Sequence, residues 1–385
     1  MRNISDTIAR LAAMRGGPRP ATNIHLDRLS DLGAFGSNPG ALRARCYIPS
    51  DLPPEAALVV VLHGCTQTAS AYDHGSGWST LADEEGFAVL YPEQQRANNP
   101  NLCFDWFVPD DTRRDRGEVL SIRQMIDTVV ATHGLDRRRI FVTGLSAGGA
   151  MAASMLASYP ELFCGGAIIA GLAHGSASTI PQAFDRMRGH GGPTMAELQR
   201  RLRDASAHTG PWPPLSIWQG TADTTVAPSN ADAILGQWHR VHRIGSGKPR
   251  TETVDGHKRE VWCDDAGREV IERYTIAGMG HGTPLKTHGE DGLGNAAPFM
   301  IEAGISSTRR MATFWGLTRD TDVQRKKTSR QKAPGTAVER RTPVENPRAV
   351  RMDHAAEAAK GPQRAAATGI SKTIEDALRA AGLMR

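Results

Sequence analysis

The chain has 385 residues, of which 39% are hydrophobic and 23% charged, a balance typical of a globular protein rather than a fibrous or low-complexity chain. No apolar run approaches the roughly 18 residues of a transmembrane helix, so no membrane-spanning segment is predicted. The five cysteines are widely spread without a Cys-x-x-Cys pair, which argues against a structural zinc site and a disulfide-rich scaffold.

The two ends of the chain differ in composition from the rest. Residues 1–20 form an amphipathic segment and linker, and their lack of an apolar signal-peptide core predicts a cytoplasmic protein. The composition of residues 319–385 predicts a disordered basic tail that ends in a short amphipathic helix. Within that tail, residues 321–385 carry an excess charge of +7, whereas the rest of the chain carries −2. We therefore expect the tail to bind a polymer granule or another anionic surface, and we do not expect nucleic acid as a partner.

Between these ends, apolar strands alternate with helix-forming segments. This alternation predicts an α/β domain with a doubly wound, mostly parallel sheet. The predicted strands are 42–48, 58–62, 87–91, 140–143, 167–170 and 215–219, and the clearest helices are 119–132 and 150–158.

Two later segments depart from this alternation. Residues 176–214 contain a polar helical stretch, Thr194 to Ala207, and form either a small cap near the site or a surface excursion. A hairpin is predicted from Lys258 to Ile276 with its turn at 264–267, and a last helix around Met311 closes the domain.

A Gly-x-Ser-x-Gly sequence, Gly144 to Gly148, lies between an apolar run and a helix-forming run. This strand–turn–helix context predicts a nucleophile elbow, in which a sharp turn presents the hydroxyl of Ser146 at the carboxyl edge of the sheet. A side chain at position 144 or 148 would collide with nearby backbone, so both are glycine. The alternative is an ordinary turn with a capping serine.

A serine nucleophile needs a base to take its proton and an acid to orient that base. In α/β-hydrolases they follow the serine in the order acid, then histidine. Asp223 fits the acid because it follows a strand and a glycine turn, although it could instead cap the helix beginning near Pro228. His281 fits the base because glycines flank it on a loop after a strand, and His288 is its nearest rival.

The oxyanion of the reaction must be stabilised by two backbone N–H groups. We expect one from Ala147, which follows the serine, and one from Cys65, in the loop after an early strand. His63 is expected to pack behind that loop rather than to act as a base. No metal-ligand cluster, dinucleotide fingerprint or P-loop sequence is present, so neither a metal nor a cofactor is predicted.

Several motifs together resemble the polyhydroxybutyrate depolymerase family of esterases, which also includes feruloyl and acetylxylan esterases. They are His63-Gly64-Cys65-Thr66-Gln67-Thr68, Tyr91-Pro92, Asp105-Trp106-Phe107, the serine elbow and Gln219-Gly220-Thr221-Ala222-Asp223. The resemblance runs from about Leu42 to Leu317. It implies an α/β-hydrolase fold, Ser146, Asp223 and His281 as the triad, and Cys65 and Ala147 as the oxyanion hole.

The resemblance also raises expectations about the surroundings of the triad. Many relatives carry Gly-His-Ala-Trp-Pro at the histidine loop, so Thr283 stands here where the acyl-binding wall has tryptophan. Secreted relatives often have a disulfide near the oxyanion loop, which would be Cys65–Cys103, but without a signal peptide we expect free thiols. An extracellular location is the alternative. Three tryptophans either line a groove for an apolar chain or lie in the core: Trp78, Trp106 and Trp218.

We therefore predict that residues 21–318 form an α/β-hydrolase catalytic domain that cleaves carboxylic esters through an acyl-enzyme. The expected substrates are poly(3-hydroxybutyrate), its oligomers or short acyl esters. A feruloyl or acetylxylan-type carbohydrate esterase is the alternative within enzymes. From another class, the alternative is a granule- or surface-binding protein that acts through its terminal helices.

Overall fold

The computed structural model describes residues 27–245 and 248–318. The predicted amino-terminal segment, 1–20, and the predicted tail, 319–385, lie outside these residues. The strands are β1 (Ser30–Asp31), β2 (Arg43–Tyr47), β3 (Leu58–Leu62), β4 (Ala88–Glu93), β5 (Ile140–Leu145), β6 (Gly165–Ile169), β7 (Leu215–Gly220), β8 (Arg250–Val254), β9 (His257–Cys263), β10 (Glu269–Ile276), β11 (Thr283–Leu285) and β12 (Met300–Glu302).

Helices alternate with the strands along the chain. They are α1 (Ala69–Ser76), α2 (Trp78–Glu85), α3 (Pro109–Thr112), α4 (Gly117–His133), α5 (Ala147–Ser158), α6 (Ile180–Met187), α7 (Met195–Asp204), α8 (Ser229–His239) and α9 (Ser307–Phe314), with a 3₁₀ turn at Pro160–Leu162. No helix of the described residues is both long and apolar enough to cross a membrane.

Ten strands form one sheet in the order β1-β2-β4-β3-β5-β6-β7-β10-β9-β8. The six strands from β4 to β10 in that order pair in parallel, and antiparallel strands extend both edges. β11 and β12 form a separate parallel pair. The predicted mostly parallel sheet and the predicted hairpin, formed by β9 and β10, are both confirmed.

Both faces of the sheet are buried. Successive residues of β3 alternate between two core clusters, with Leu58, Val60 and Leu62 in one and Val59 and Val61 in the other. The first cluster contains residues of α4, α5, α7 and α8, and the second contains residues of α1, α2 and α9. This double coverage explains why the strand is apolar throughout, because neither side of it meets water.

The parallel strands bring separate loops to one edge. β3, β5, β7 and β10 run in the same direction, so their carboxyl ends meet at the same side of the sheet. The loops that follow them carry Cys65, Ser146, Asp223 and His281 respectively. This edge is where ligands bind in open α/β sheets.

The segment 176–214 holds two helices, of which the sequence predicted one. Thr194 begins α7 with a capping box in which it exchanges hydrogen bonds with Glu197. α7 packs on α8, where the Gln237 amide donates to the carbonyl of Leu198 at 2.9 Å. α6 was not predicted, although Thr179 caps its amino terminus.

Candidate active site

Ser146 lies at the turn between β5 and α5. Its φ of 57° and ψ of −118° are rare for a residue with a side chain, so the turn is strained. A Cβ at position 144 would lie 2.4 Å from the carbonyl oxygen of Gly148, and one at position 148 would lie 2.3 Å from that of Leu62. The elbow therefore requires both glycines, as the sequence predicts.

His281 and Asp223 are joined by a hydrogen bond. Nδ1 of His281 lies 2.8 Å from Oδ2 of Asp223, whose side chain is fully buried. The other carboxylate oxygen accepts the backbone N–H groups of Thr225 and Val226 at 2.9 and 2.8 Å, and the Gln219 amide donates to Oδ2 at 3.2 Å. The charge of Asp223 is thus stabilised by neutral donors that also fix its orientation.

Hydrogen bonds join the loops that carry these two residues. The N–H of Ala222 donates to the carbonyl of Met279 at 3.0 Å, and the N–H of Gly278 donates to the hydroxyl of Thr221 at 2.8 Å. These bonds hold the histidine loop against the aspartate loop, so the spacing of the pair is set by backbone contacts rather than by the side chains alone.

Ser146 and His281 line one cavity of about 360 Å³, and Cys65 lines it too. Most of its wall is apolar, with contributions from Trp106, Phe107, Leu145, Phe184, Met187 and Phe299. A mostly apolar cavity with a few polar groups at one end is typical of a small-molecule site.

The predicted oxyanion loop has a fixed backbone. The N–H of Gly64 donates to the side-chain oxygen of Gln67 at 2.9 Å, and the N–H of Thr66 donates to the carbonyl of Asn101 at 2.7 Å. Ala147 is the first residue of α5, where backbone N–H groups have no partner within the helix. Cys65 thus lies on a constrained loop that lines the same cavity as Ser146, and Ala147 directly follows the serine at the start of α5.

His63 lies behind this loop, as predicted. Its Nε2 accepts the backbone N–H of Gln94 at 3.1 Å, so Nδ1 carries the proton and donates to the carbonyl of Gly64 at 2.8 Å. Burial lowers the pKa of His63, which keeps the ring neutral. This histidine supports the loop and leaves His281 as the histidine of the cavity.

The expectation that Cys65 and Cys103 carry free thiols is wrong. The two cysteines form a disulfide that joins the predicted oxyanion loop to the segment 99–108, which forms part of the cavity wall. The expectation relied on the amino-terminal sequence, which does not predict a signal peptide. It could not take account of the folding of the two loops against each other, which the bond between Thr66 and Asn101 maintains.

Two of the three candidate tryptophans lie in the core instead of the cavity wall. Trp78 stacks on Trp315 at 5.9 Å between ring centroids. Trp218 stacks on Tyr274 at 3.9 Å, and its indole N–H donates to a buried serine. Both are 1% exposed, because Trp218 belongs to a strand that is buried throughout and Trp78 lies on the buried face of α2, whereas Trp106 does line the cavity.

Thr283 is likewise absent from the described wall of the cavity. It is 1% exposed in β11, and its hydroxyl lies 3.2 Å from that of Tyr72 in the core. The expectation that Thr283 is a substrate-binding residue of the acyl-binding wall is therefore wrong. Phe299 provides apolar surface beside the histidine instead, with its ring centroid 6.0 Å from that of His281.

Sequence reasoning missed Phe299 and the whole of α6. Phe299 has no local signal, since only tertiary folding brings it to the histidine. α6 did have one, because its four cavity-lining residues follow the i, i+3, i+4, i+7 spacing of a single helix face: Ile180, Ala183, Phe184 and Met187.

Comparison with known proteins places the chain in a family. Residues 45–255 match the family model described as esterase PHB depolymerase. The chain belongs to this family. The esterase is 42% identical over 291 residues to poly(3-hydroxyalkanoate) depolymerase C of Paucimonas lemoignei, covering 75% of this chain and 70% of that protein.

Other relatives agree with the family and the fold. Over 275 residues the esterase is 32% identical to an acetylxylan esterase of Coprinopsis cinerea, covering 70% of this chain and 72% of that protein. The solved acetyl xylan esterase from Aspergillus awamori matches 75% of this chain and 99% of its own with a TM-score of 0.64 at 24% identity, which shows a shared fold. The predicted family, α/β-hydrolase fold and serine ester hydrolase activity are thus confirmed.

Proposed function

We propose that the esterase hydrolyses polyesters or oligomers of 3-hydroxyalkanoic acids, with Ser146 as nucleophile, His281 as base and Asp223 as the acid that orients it. The observation that carries the proposed roles is the 2.8 Å bond between His281 and Asp223 beside the cavity that Ser146 also lines. These are the three groups that acyl transfer by a serine requires.

The proposed reaction has two halves. Nε2 of His281 takes the proton of Ser146 as the serine oxygen attacks the ester carbonyl, and backbone N–H groups of Cys65 and Ala147 stabilise the oxyanion. The intermediate then expels the alcohol, which receives the proton from His281. In the second half a water molecule, activated by the same histidine, releases the acid and restores the serine.

The substrate class is supported by the relatives and by the cavity. A poly(3-hydroxyalkanoate) depolymerase is 42% identical, whereas an acetylxylan esterase is 32% identical. The aliphatic and aromatic wall suits such a polyester, whose repeats carry alkyl groups and no free hydroxyls, better than a sugar ring with many hydroxyls. Ile180 is 39% exposed at this wall and extends the apolar surface toward the outside.

A hydrolysis panel tests this proposal. The purified esterase is given 3-hydroxybutyrate oligomers, amorphous polyester granules, p-nitrophenyl butyrate, acetylated xylan and methyl ferulate. We expect the highest kcat/KM with the oligomers and release of soluble acid from the granules. A preference for acetylated xylan or methyl ferulate would contradict the proposed substrate class and favour a carbohydrate esterase.

The basic tail is proposed to bind an anionic surface such as a lipid-coated granule, because residues 321–385 carry an excess charge of +7. Deletion of these residues is expected to preserve turnover of a small ester and to reduce granule binding, most strongly at low salt. Unchanged granule binding, or loss of small-ester turnover, would contradict the proposal.

We also propose that the esterase functions in an oxidising compartment. The Cys65–Cys103 disulfide supports this location, since such bonds persist mainly outside the reducing cytosol. Immunodetection in separated culture fluid, periplasm and cytosol tests it. A protein confined to the cytosol with both cysteines alkylated as free thiols would contradict the proposal.

A further inference from the structure

One acidic side chain lies in the wall of this mostly apolar cavity. Of the described residues that line it, Asp105 is the one with a carboxylate, and Ser146 lines the same space. Asp105 is the first residue of the Asp105-Trp106-Phe107 motif. It lies within the same cavity, but belongs to neither the proposed triad nor the proposed oxyanion hole.

Asp105 is held in place by a buried network. Its backbone N–H donates to Oε2 of Glu118 at 2.9 Å, and Glu118 is fully buried. The amide of Gln94 donates to the other oxygen of Glu118 at 2.5 Å. The amide of Asn99 donates to Oδ1 of Asp105 at 2.8 Å. Backbone and side chain are therefore both positioned before any substrate enters.

The second oxygen of this carboxyl has unused capacity. Within residues 27–245 and 248–318 no cation pairs with Asp105, and the one hydrogen bond to its side chain is that of Asn99 on Oδ1. Burial raises the pKa of Asp105 to about 6, and the charge of Asp111 adds to the increase. Burying part of a carboxyl without a cation lowers the stability of the fold. Such groups are found at functional sites, where they contact a ligand.

We propose that Asp105 is a specificity-determining residue that accepts, through Oδ2, a hydrogen bond from a free hydroxyl group of the bound ester. This inference rests on the proposed function and extends it, because it states which esters the cavity selects. Polyesters of 3-hydroxyalkanoic acids end in such a hydroxyl on the acyl side. A hydroxyl on the alcohol side would offer the same chemistry.

The expected effect follows from the cost of an unmatched polar group. A site built to accept a hydroxyl discriminates against an ester that lacks it, since the carboxyl is then buried against an apolar chain without water. Removing the carboxyl should abolish that discrimination. It should affect the hydroxylated ester much more than its plain counterpart.

Matched ester pairs test the inference. The acyl pair is p-nitrophenyl 3-hydroxybutyrate and p-nitrophenyl butyrate, and the alcohol pair is 3-hydroxypropyl butyrate and propyl butyrate. For the wild type we expect a kcat/KM ratio that favours the hydroxylated member of one pair, and the pair that shows it identifies the source of the hydroxyl. In Asp105→Leu we expect this ratio to fall about tenfold or more.

A second variant and a control separate recognition from folding. Asp105→Asn keeps the size of the side chain and an acceptor for Asn99, and is expected to lower the ratio less than the leucine variant. Asp110→Ala removes an exposed acid outside the cavity wall and is expected to leave the ratio unchanged. Equal losses on both members of each pair in both Asp105 variants would show a purely structural role and overturn the inference.

The ester pairs distinguish failure of this inference from failure of the proposed function. A wild type that hydrolyses both members of each pair without preferring a hydroxyl overturns the inference and leaves the proposed esterase mechanism intact. A wild type that hydrolyses none of the esters contradicts the proposed function itself.

Discussion

The Nδ1 atom of His281 lies 2.8 Å from Oδ2 of Asp223, at the place where the loops after β10 and β7 meet. A carboxylate oxygen can only accept, so Nδ1 carries the proton and Nε2 keeps its lone pair. The pair thus sets the tautomer that a general base needs before the substrate arrives.

The first prediction concerns the proposed nucleophile. Ser146→Ala removes one hydroxyl from a position that is 8% exposed, and it should lower kcat by about 10⁴ or more because covalent catalysis is lost. Hydrolysis of p-nitrophenyl butyrate measures the loss, and thermal unfolding checks that the fold persists. A fluorophosphonate probe should label the wild type at Ser146, and labelling of a different serine would contradict the assignment.

The second prediction concerns the proposed base and acid. His281→Ala should be about as damaging as the loss of the serine, and Asp223→Asn somewhat less so. His288→Ala is the matched control, expected to keep its activity. The reverse result would assign the base to His288.

The third prediction concerns the disulfide. Replacing Cys65 and Cys103 together by serine should release the oxyanion loop from the segment 99–108, and kcat should fall by about 10-fold or more, toward the ~10²–10³ measured for loss of one oxyanion donor. Dithiothreitol should have the same effect on the wild type. Cys164→Ser, which alters an exposed free thiol, is the control. Full activity of the double variant would show that the bond does not position the loop.

The parts of this molecule that sequence predicts best are those fixed by local chemistry. The alternating apolar strands, the hairpin around residues 264–267 and the elbow between Gly144 and Gly148 each follow from spacing and from the conformational needs of a few residues. The proximity of His281 to Asp223 was also foreseen, because parallel strands deliver their following loops to one edge.

The parts that sequence predicts poorly depend on packing between distant segments. Whether a tryptophan lies in the cavity or in the core is decided by neighbours such as Trp315 and Tyr274, which are far away in the chain. The same holds for Phe299 beside His281 and for the disulfide partner of Cys65. Periodicity carries no information on such contacts.

The fourth prediction concerns the close approach of backbones under the elbow. A Cβ at position 148 would lie 2.3 Å from the carbonyl oxygen of Leu62 and 2.5 Å from that of His63, so the start of α5 or the end of β3 must move. Gly148→Ala should therefore destabilise the fold by about 1–3 kcal/mol and also lower activity, because β3 leads directly into the oxyanion loop. Urea unfolding and ester hydrolysis measure the two effects.

Gly245→Ala is the matched control for this prediction, since a Cβ there meets no heavy atom within 4 Å and no left-handed φ is required. It should change the free energy of unfolding by no more than about 0.5 kcal/mol, the range of ordinary surface substitutions. It should leave kcat/KM unchanged. A Gly148→Ala variant as stable and as active as Gly245→Ala would show that the elbow tolerates a side chain. The close packing of β3 against the elbow would then not be what sets the position of Ser146.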